Sequence, residues 1–415
     1  MTLLADFVLT GAGELVTVDP RLGEGPLGVI RDGALAARAG DIVWVGQTSA
    51  LRQAGRLASD RIEVDAGGRV VLPGFVDSHT HLCFAGSREQ EFARRIAGAT
   101  YQEITAAGGG ILSTVRATRE AGVDELVRLA GRRLDWALQH GTTTIEVKSG
   151  YGLTTADELK MLEAIRGLRD AHPVEVHATF CGAHEVPPEF REDTEGYVDL
   201  VVREMLPAVA ARGLAEYCDV FCEAGVFSAA QARRILVAGA EHGLRAKLHA
   251  DEFAPSGAAE LAAELRALSA DHLLRAPLDG IRALKAAGVT ATLLPGTAFF
   301  LGLAYAPARA FLETGVRVAL ATDFNPGSSY TPNMQLIVTL ACTQMRMSVE
   351  EALEAATLGG ACAMGLERHV GSLSPGKRCD LFVAELPNYR HLPYLFGVNH
   401  VETVVKAGRV VWPRS

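Results

Sequence analysis

Residues 73–82, PGFVDSHTHL, decide the fold and also direct the search for a function. The apolar residues that lead to Asp77 are typical of a short buried β-strand, and His79 and His81 follow at its end. Side chains at positions i and i+2 of a strand point to the same side, so these two imidazoles can bind one metal ion together. A hydrogen-bonded histidine pair would have the same spacing, so a metal site requires further ligands from elsewhere in the chain.

Seven more apolar runs with strand character follow this stretch, separated by helical segments rich in alanine, leucine and arginine. Alternation of buried strands and helices is typical of βαβ units, in which the strands run parallel. Eight such runs match the strand count of a (β/α)8 TIM-type barrel. The seven later runs are GTTTIEVKSGY, PVEVHATFCGAH, YCDVFCEAGVF, LRAKLHADEF, ALSADHLL, VTATLLPGTAFF and VRVALATDFNPG.

The two ends of the chain have a different pattern from the barrel. Up to about residue 64, short β-rich segments alternate with turns such as DG and GAG, and no helix-length amphipathic segment interrupts them. Short strands and glycine turns return after residue 370. We therefore predict one small β-sandwich domain built from residues 1–64 and 371–415, which flanks a barrel of residues 65–370.

Composition limits the kind of partner that the protein can have. Its 415 residues contain 40 Lys+Arg and 49 Asp+Glu, a formal net charge of −9, without a run of five basic residues. This balance argues against nucleic acid and against a charged membrane surface as partners. The seven cysteines form no CxxC pair, and no apolar run approaches the roughly 20 residues that cross a bilayer. We expect a cytoplasmic protein that acts on a small molecule and binds any metal through imidazole and carboxylate.

The ends of two later strands supply the missing metal ligands. His249 ends the fifth apolar run and Asp323 ends the eighth. Because barrel enzymes assemble their sites at the carboxyl ends of the strands, both residues should meet His79 and His81 at one rim. Three histidines and one aspartate suit zinc or iron with one open position for water. The sequence therefore predicts one metal ion per chain, without a choice between Zn²⁺ and Fe³⁺.

Several longer motifs strengthen this interpretation because they occur in a characteristic order. From about residue 60 to the C-terminus the chain resembles the metal-dependent amidohydrolase superfamily, and more narrowly its imidazolonepropionase family. An HxH pair alone is weak evidence, whereas a series of ordered motifs is strong. The motifs include HTHLCFAGSREQEF (79–92), KSGYGL (148–153), FCGAHEVPPE (180–189), HADEF (249–253) and DFNPGSS (323–329).

This resemblance implies a reaction and a set of substrate-binding residues. The reaction is hydrolysis of the cyclic amide C–N bond of 4-imidazolone-5-propanoate to N-formimidoyl-L-glutamate by a metal-activated water, the third step of histidine degradation. The substrate carries a propionate, and the guanidinium of Arg88 is expected to bind it in a fork. The resemblance also implies a homodimer. The implied substrate-binding residues are Arg88, Tyr151, His184, Glu252, Asn325, Gly327 and Ser328.

Three residues are expected to carry the proton transfers and the charge stabilisation. Glu252 lies three residues after His249, as does the proton-shuttling glutamate of related deaminases, and burial suits it to that task by raising its pKa. His272 matches the histidine that follows strand six in the superfamily, which contacts the oxyanion. Asp323 is expected to help move the proton to the departing ring nitrogen.

Two other functions use the same residues and stay open on this evidence. An aminohydrolase that releases ammonia from a purine-like or pyrimidine-like ring would need the same metal ligands and the same Glu252. A barrel that has lost catalysis and serves binding or assembly is the second alternative. Lys148 follows strand two, not strand four, so it does not match the lysine of two-metal relatives, and neither Lys148 nor Glu223 has an assigned role.

Overall fold

The computed structural model describes residues 4–99, 103 and 108–413. Two sheets organise the molecule: an eight-stranded parallel barrel, and a second eight-stranded sheet to which both ends of the chain contribute. This architecture confirms the predicted fold class. The strands are β1 (Leu4–Val16), β2 (Val29–Arg38), β3 (Asp41–Gln47), β4 (Arg56–Asp65), β5 (Val70–Pro73), β6 (Phe75–Asp77), β7 (Thr142–Lys148), β8 (Glu175–Ala183), β9 (Tyr217–Cys222), β10 (Arg245–Ala250), β11 (Ser269–His272), β12 (Thr290–Leu293), β13 (Val318–Leu320), β14 (Leu381–Ala384), β15 (Val401–Lys406) and β16 (Arg409–Trp412).

Helices cover the barrel and connect its strands. Short 3-10 helices occupy Thr48–Ala54 and Pro188–Phe190, and π-helical turns occupy Val201–Met205 and Ala355–Gly359. The α-helices are α1 (Glu89–Ile96), α2 (Ile111–Glu120), α3 (Val123–Gln139), α4 (Thr155–Ala171), α5 (Thr194–Leu200), α6 (Leu206–Arg212), α7 (Ala229–Glu241), α8 (Ala258–Glu264), α9 (Leu278–Ala287), α10 (Pro295–Leu301), α11 (Ala308–Thr314), α12 (Met334–Met345), α13 (Val349–Glu354), α14 (Gly360–Met364) and α15 (His391–Tyr394). Within the described residues, no helix is both long enough and apolar enough to cross a membrane.

Helix α4 illustrates how the sequence builds the outer layer. Thr154 caps its amino end, where the side chain accepts a hydrogen bond from the Asp157 backbone N–H at 3.1 Å. Leu159, Leu162 and Ile165 recur every three residues and are all buried against the barrel. The cap and the apolar stripe together fix where the helix begins and which face it turns inward.

Each of the eight predicted runs forms one barrel strand, and neighbours in sequence are neighbours in the barrel from β6 to β13. The barrel closes at the carboxyl ends of its first and last strands, where Thr80 pairs with Phe324. The His81 N–H donates to the Phe324 carbonyl at 3.0 Å, and the Asp323 N–H donates to the His79 carbonyl at 3.0 Å. Closure of the barrel therefore brings His79, His81 and Asp323 to one point.

The small sheet has the strand order β16-β15-β14-β5-β1-β2-β3, and β4 also pairs with β1. The ladder is continuous, so the amino-terminal and carboxy-terminal strands share one branched sheet. Residues 70–73 belong to it as β5, between β1 and β14, although they lie within the predicted barrel range of 65–370. The domain boundaries after residues 64 and 370 stay predictions.

The small sheet contacts the barrel near the beginnings of the barrel strands. The Lys406 ammonium of β15 donates to Glu175, the first residue of β8, at 2.7 Å, and to Asp380 at 2.6 Å. Phe75, the first residue of β6, packs against Phe382 with ring centroids 4.9 Å apart. This arrangement leaves the carboxyl ends of the barrel strands free to form a site.

Candidate active site

The carboxyl ends of the barrel strands surround a cavity of about 560 Å³. His79 lies beside this cavity and is fully buried. The other predicted site residues all line it, although they come from separate loops between His81 and Ser328. These residues are His81, Arg88, Tyr151, His184, His249, Glu252, His272, Asp323, Asn325, Gly327 and Ser328.

A larger, open cavity of about 800 Å³ lies on another part of the surface, with Asp19 on one side and Thr290 at the start of β12 on another. None of the predicted site residues lines it. Of these two cavities, the predicted site residues line only the smaller one, so we assign the candidate active site there.

Four histidines form the floor of the cavity. The Nε2 atoms of His81 and His249 are 3.1 Å apart, and the His79 ring centroid lies 4.5 Å from that of His249. Asp323 joins them, with its Oδ1 3.6 Å from His79 Nε2 and 3.9 Å from His81 Nε2. The ring of His272 lies 5.3 Å from that of His249. The four predicted metal ligands thus lie within a few ångströms of one another.

Carboxylates bind the far side of two of these rings. Asp271 Oδ2 lies 2.6 Å from His79 Nδ1, and Asp219 Oδ1 lies 3.0 Å from His249 Nδ1. An imidazole that donates its Nδ1–H to a carboxylate keeps the lone pair of Nε2 for another partner. In the part of the chain that the structure describes, Nε2 of His79 is buried without a hydrogen-bond partner. Burial lowers the pKa of His79 well below its ordinary value, with nearby Lys148 adding to the effect, so the ring is neutral and able to bind a cation.

Beneath the histidines lies a group of five fully buried charged residues, which we call the buried charge cluster: Glu146, Lys148, Asp219, Lys247 and Asp271. The Lys148 ammonium donates to Asp219 at 2.6 Å and to Glu146 at 2.8 Å. The Lys247 ammonium donates to the other oxygen of Glu146 at 2.9 Å. Three carboxylates and two lysines give the cluster one net negative charge. Its members Asp271 and Asp219 contact His79 and His249 directly. Lys148 therefore lies inside the barrel, with its ammonium group below the cavity.

Glu252 and His272 face each other at the side of the cavity, with Glu252 Oε1 3.6 Å from His272 Nδ1. Burial raises the pKa of Glu252 well above its ordinary value, and the neighbouring carboxylates of Asp323 and Glu223 add to the effect. Burial lowers the pKa of His272, whose Nδ1 has no hydrogen-bond partner. A carboxyl group that takes up a proton easily, next to a neutral imidazole, is suited to general acid–base chemistry.

Glu223 holds the loop that carries Glu252, a role that the sequence did not indicate. Its Oε2 accepts the backbone N–H groups of Glu252 and Phe253, both at 2.9 Å. Its Oε1 accepts those of Ala224 at 3.1 Å and Ala254 at 3.2 Å. One buried carboxylate thus satisfies three consecutive backbone donors at residues 252–254. Glu223 directly follows β9, the fourth barrel strand, and this position indicated that it lies at the rim. Its partners could not be inferred from sequence because they lie in the loop after the next strand.

Asp323 occupies an unusual backbone conformation, with φ of 50°. A left-handed conformation costs energy in a residue with a Cβ atom and is concentrated at functional sites. The Asp323 Oδ2 accepts a hydrogen bond from the Thr297 hydroxyl at 2.5 Å, which leaves Oδ1 toward the histidines. Burial raises the pKa of Asp323 to about 6, although the bond from Thr297 lowers it. A nearby cation would stabilise this carboxylate in its charged form.

The side chain of Asn325 makes its hydrogen bonds within its own turn. The Oδ1 atom accepts the backbone N–H groups of Gly327 and Ser328, both at 2.8 Å. The Nδ2 group donates to the Asp323 carbonyl at 2.7 Å and to the Ser328 hydroxyl at 2.8 Å. This side chain therefore fixes the shape of the turn that forms one wall of the cavity.

The opposite wall is built from Tyr151 and His184. The imidazole of His184 stacks on that of His81 with centroids 4.6 Å apart, and its Nδ1 lies 3.1 Å from the Gly150 carbonyl. Tyr151 is buried, and its ring lies 5.4 Å from that of His184. Burial lowers the pKa of His184 to about 3, so this ring meets a ligand in its neutral form.

Arg88 precedes helix α1 at the top of the cavity and is bound by a protein carboxylate. Its Nε donates to Glu91 Oε2 at 2.9 Å, and its Nη2 donates to Glu91 Oε1. A Cβ atom at Gly327 would lie 2.1 Å from Arg88 Nη1, so the glycine is what allows the guanidinium to lie there. The predicted cation is thus present at the cavity, in a fork-like pair with Glu91.

Comparison with known proteins agrees with this geometry. The sequence profile of the amidohydrolase family matches residues 70–411 of this chain. The imidazolonepropionase of Geobacillus kaustophilus is 54% identical over 387 residues, which cover 93% of this chain and 91% of that protein. The imidazolonepropionase of Symbiobacterium thermophilum is 54% identical over 412 residues, which cover 98% and 97% of the two chains.

Solved structures share the fold at much lower identity. An adenosine deaminase from Xanthomonas campestris with bound zinc superposes with a TM-score of 0.75 at 20% identity, over 99% of this chain and 93% of that one. Such a likeness identifies the architecture alone, whereas identity above 50% along nearly the whole chain identifies the closer group. By that identity and by the amidohydrolase match, the chain belongs to the imidazolonepropionase family of amidohydrolases.

Proposed function

We propose that this protein hydrolyses the cyclic amide of 4-imidazolone-5-propanoate to N-formimidoyl-L-glutamate, the third step of histidine degradation. The observation that carries the proposal is a single cavity with cationic guanidinium groups at its top and a histidine–carboxylate cluster at its floor. A substrate with an anionic tail and a cyclic amide needs the guanidinium groups for its tail and the histidine–carboxylate cluster for its amide. Relatives named imidazolonepropionase, more than half identical over nearly the full length, support the same substrate.

The residues at the floor fit a metal ion, which membership of the family implies. Three groups of potential ligand atoms overlap there, one of them formed by His79, His81 and Asp323. The unpartnered Nε2 of His79 and the 3.1 Å approach of the His81 and His249 nitrogens are both accounted for if these atoms face a cation. We propose that His79, His81, His249 and Asp323 hold one Zn²⁺ or Fe³⁺ ion. When bound, such an ion polarises a carbonyl group and lowers the pKa of a water molecule toward about 7.

The protein's own residues then carry the protons. Glu252, whose pKa burial raises, accepts the proton of the attacking water and passes it to the ring nitrogen as the C–N bond breaks. The water oxygen forms the new bond to the carbonyl carbon, so one water is consumed for each ring that opens. Neutral His272 donates a hydrogen bond to the oxygen on which negative charge develops. Asp323 lies close enough to assist the transfer.

The other lining residues orient the substrate. Arg88 binds the propionate, Tyr151 and His184 contact the tail or the ring, and the backbone and side chains at Asn325, Gly327 and Ser328 hold the opposite edge. In this arrangement the buried walls exclude bulk water from the reacting amide.

A direct assay tests the proposal and separates it from its two alternatives. Purified protein, loaded with Zn²⁺ or Fe³⁺, is incubated with 4-imidazolone-5-propanoate, and loss of the imidazolone absorbance is followed together with appearance of N-formimidoyl-L-glutamate by mass spectrometry. Parallel reactions with guanine, adenine and cytosine are assayed for ammonia. Ammonia from a base without consumption of the imidazolone would identify an aminohydrolase, and no turnover with a metal content well below one ion per chain would identify an inactive barrel.

One variant and one metal-removal experiment test the proposed roles within that assay. Glu252→Gln should lower kcat by about 10²–10⁴-fold, the usual contribution of a general acid–base group, at unchanged metal content. Loss of the metal from this variant would instead make Glu252 a ligand. A chelator should abolish turnover, and re-addition of the ion should restore it.

The homodimer and the cytoplasmic location stay predictions that rest on the family resemblance and on composition. Light scattering during size-exclusion chromatography measures the first, since a dimer of the 44.0 kDa chain has twice that mass.

A further inference from the structure

Helix α1 and the residue that precedes it present three charged side chains to the cavity, and only Arg88 among them was expected there. Arg88, Glu91 and Arg95 lie at positions i, i+3 and i+7, which share one face of a helix, and all three line the cavity. Two cations and one anion leave a single net positive charge at this end. That charge matches one carboxylate on a ligand.

The Glu91 carboxylate binds the Arg88 guanidinium in the way that a substrate carboxylate would. The two side chains form a bidentate pair in which each is 12% exposed, and Glu91 Oε2 also accepts the Gly110 backbone N–H at 2.8 Å. Burial alone would raise the pKa of Glu91, but the bonds from Arg88 and Gly110 lower it overall, so the carboxylate stays charged at neutral pH. Arg88 is therefore neutralised by a carboxylate of its own chain.

Arg95 has the opposite character because part of its guanidinium has no partner. Its Nη1 makes one long hydrogen bond, 3.4 Å, to the Gly327 carbonyl, and its Nη2 is buried without an acceptor among the described residues. The guanidinium lies over the ring of Phe300 at 4.8 Å and near that of Phe92 at 5.7 Å, which fixes its direction. Burial lowers the pKa of Arg95, in agreement with this shielded position, yet an arginine stays charged at any physiological pH.

Buried donors in proteins are almost always satisfied, so an unpartnered nitrogen at a cavity wall needs an explanation. Gly327 supplies the geometric link, because its backbone carbonyl contacts Arg95 while its missing Cβ makes room for Arg88. The two guanidinium groups thus converge on the turn that closes the cavity. A carboxylate at that point would lie within reach of both.

We infer that Arg95 is a second cation of a carboxylate-binding subsite, and that Glu91 is its resident competitor, which releases Arg88 when a ligand carboxylate binds. The ligand class is a small ring that bears a carboxylate on a short flexible tail. The inference rests on the proposed function, since it assigns the tail of that substrate to Arg95 together with Arg88.

A pair of competing ligands isolates the carboxylate from the rest of the molecule. Imidazole-4-propanoate carries the tail carboxylate, and imidazole-4-propanamide is its neutral counterpart. Both are measured as inhibitors of the hydrolase reaction and, independently of turnover, by isothermal titration calorimetry. In the wild-type protein the propanoate should bind more tightly than the propanamide.

Arg95→Met should weaken propanoate binding and raise KM for the substrate by about tenfold to hundredfold, the usual effect of losing one charge-assisted hydrogen bond. Binding of the propanamide should change less than threefold, and Arg95→Lys should recover part of the loss. Glu91→Gln should act in the opposite direction and tighten propanoate binding, because the competing charge is gone. The control is Arg94→Met, the same change at an exposed neighbour that does not line the cavity.

Equal weakening of both ligands by Arg95→Met, or no change in either, would overturn the assignment of Arg95. Weaker propanoate binding by Glu91→Gln would overturn the assignment of Glu91 as a competitor. If the wild-type protein does not consume the imidazolone at all, the proposed function fails, but the calorimetric preference for the propanoate still tests the subsite by itself.

Discussion

Removal of the Lys148 ammonium from the buried charge cluster should destabilise the protein more than any surface substitution. Lys148 is fully buried, with its Nζ 2.6 Å from Asp219, 2.8 Å from Glu146 and 3.9 Å from Asp271. Burial alone would lower the pKa of Lys148, but Asp219, Glu146 and Asp271 raise it overall, so the group is charged throughout the accessible pH range. Lys148→Met keeps a side chain of similar length and removes only the charge and its donors.

The size of the loss follows from the charges left behind. Three carboxylates would then face Lys247 alone, and the net charge of the cluster would change from one negative to two. Removal of one partner from a buried ion pair costs about 3–5 kcal/mol, because the other partner is left without compensation. At roughly 2 °C for each kcal/mol, the slope for large domains, the thermal midpoint should fall by about 6–10 °C.

Differential scanning calorimetry at pH 7 measures the change against Lys285→Met, the same substitution at an exposed lysine that donates only to the Gly315 carbonyl. That control should shift the free energy of unfolding by no more than about 0.5 kcal/mol. The double variant Lys148→Met/Glu146→Gln returns the cluster to one net negative charge and should recover part of the midpoint. If Lys148→Met costs no more than Lys285→Met, or if the double variant loses the sum of two independent effects, the cluster is not an electrostatic unit.

Three further predictions concern positions around the cavity and the base of the barrel. Gly327→Ala places a Cβ atom 2.1 Å from Arg88 Nη1, so it should displace the guanidinium and raise KM about tenfold or more, which steady-state kinetics will detect. Glu223→Gln places an amide NH₂ against two backbone N–H groups that now donate to the carboxylate, so the loop that carries Glu252 should shift. We expect kcat to fall, whereas metal analysis should find an unchanged metal content. His177→Gln should lower the thermal midpoint at pH 5.5 and change it little at pH 9. Burial would lower the pKa of His177, but its hydrogen bonds to two glutamates raise that pKa above 6.5 overall. The stabilisation from the protonated ring is therefore complete below pH 6.5 and is lost as the pH rises through the pKa of the folded state. An equal effect of His177→Gln at both pH values would contradict that account.

The order of strands and the residues at their ends could be predicted from sequence because both are local properties. A buried strand is recognisable from its apolar run, and the carboxyl ends of parallel strands share one rim whatever the connections are. His249 and Asp323 lie at the rim for this reason, although 74 residues separate them. The small sheet was likewise recognisable from its turns.

The direction of a charged side chain inside the barrel was not predictable in the same way. Lys148 follows a predicted strand, as the rim residues do, but its side chain points into the barrel toward Asp219, 71 residues away. His177 is the third residue of β8 and lies near the base of the barrel between Glu175 and Glu216, at 3.2 and 2.7 Å. Asp219 lies in β9 and Glu216 directly precedes it, and the length of a strand decides which of its residues reaches the rim.

Charge at the two ends of the cavity explains how an acidic protein can bind and orient an anion. The buried charge cluster contributes one net negative charge below the floor, and Glu252 and Asp323 lie above it. At the top, Arg88 and Arg95 exceed Glu91 by one positive charge. A ligand carboxylate is stabilised at the top, beside Arg88 and Arg95, which turns its tail toward α1 and its ring toward the histidines. The two ends contribute separately, the guanidinium groups to binding of the tail and Glu252 to proton transfer, so the free-energy effects of Arg95→Met and Glu252→Gln on kcat/KM should add.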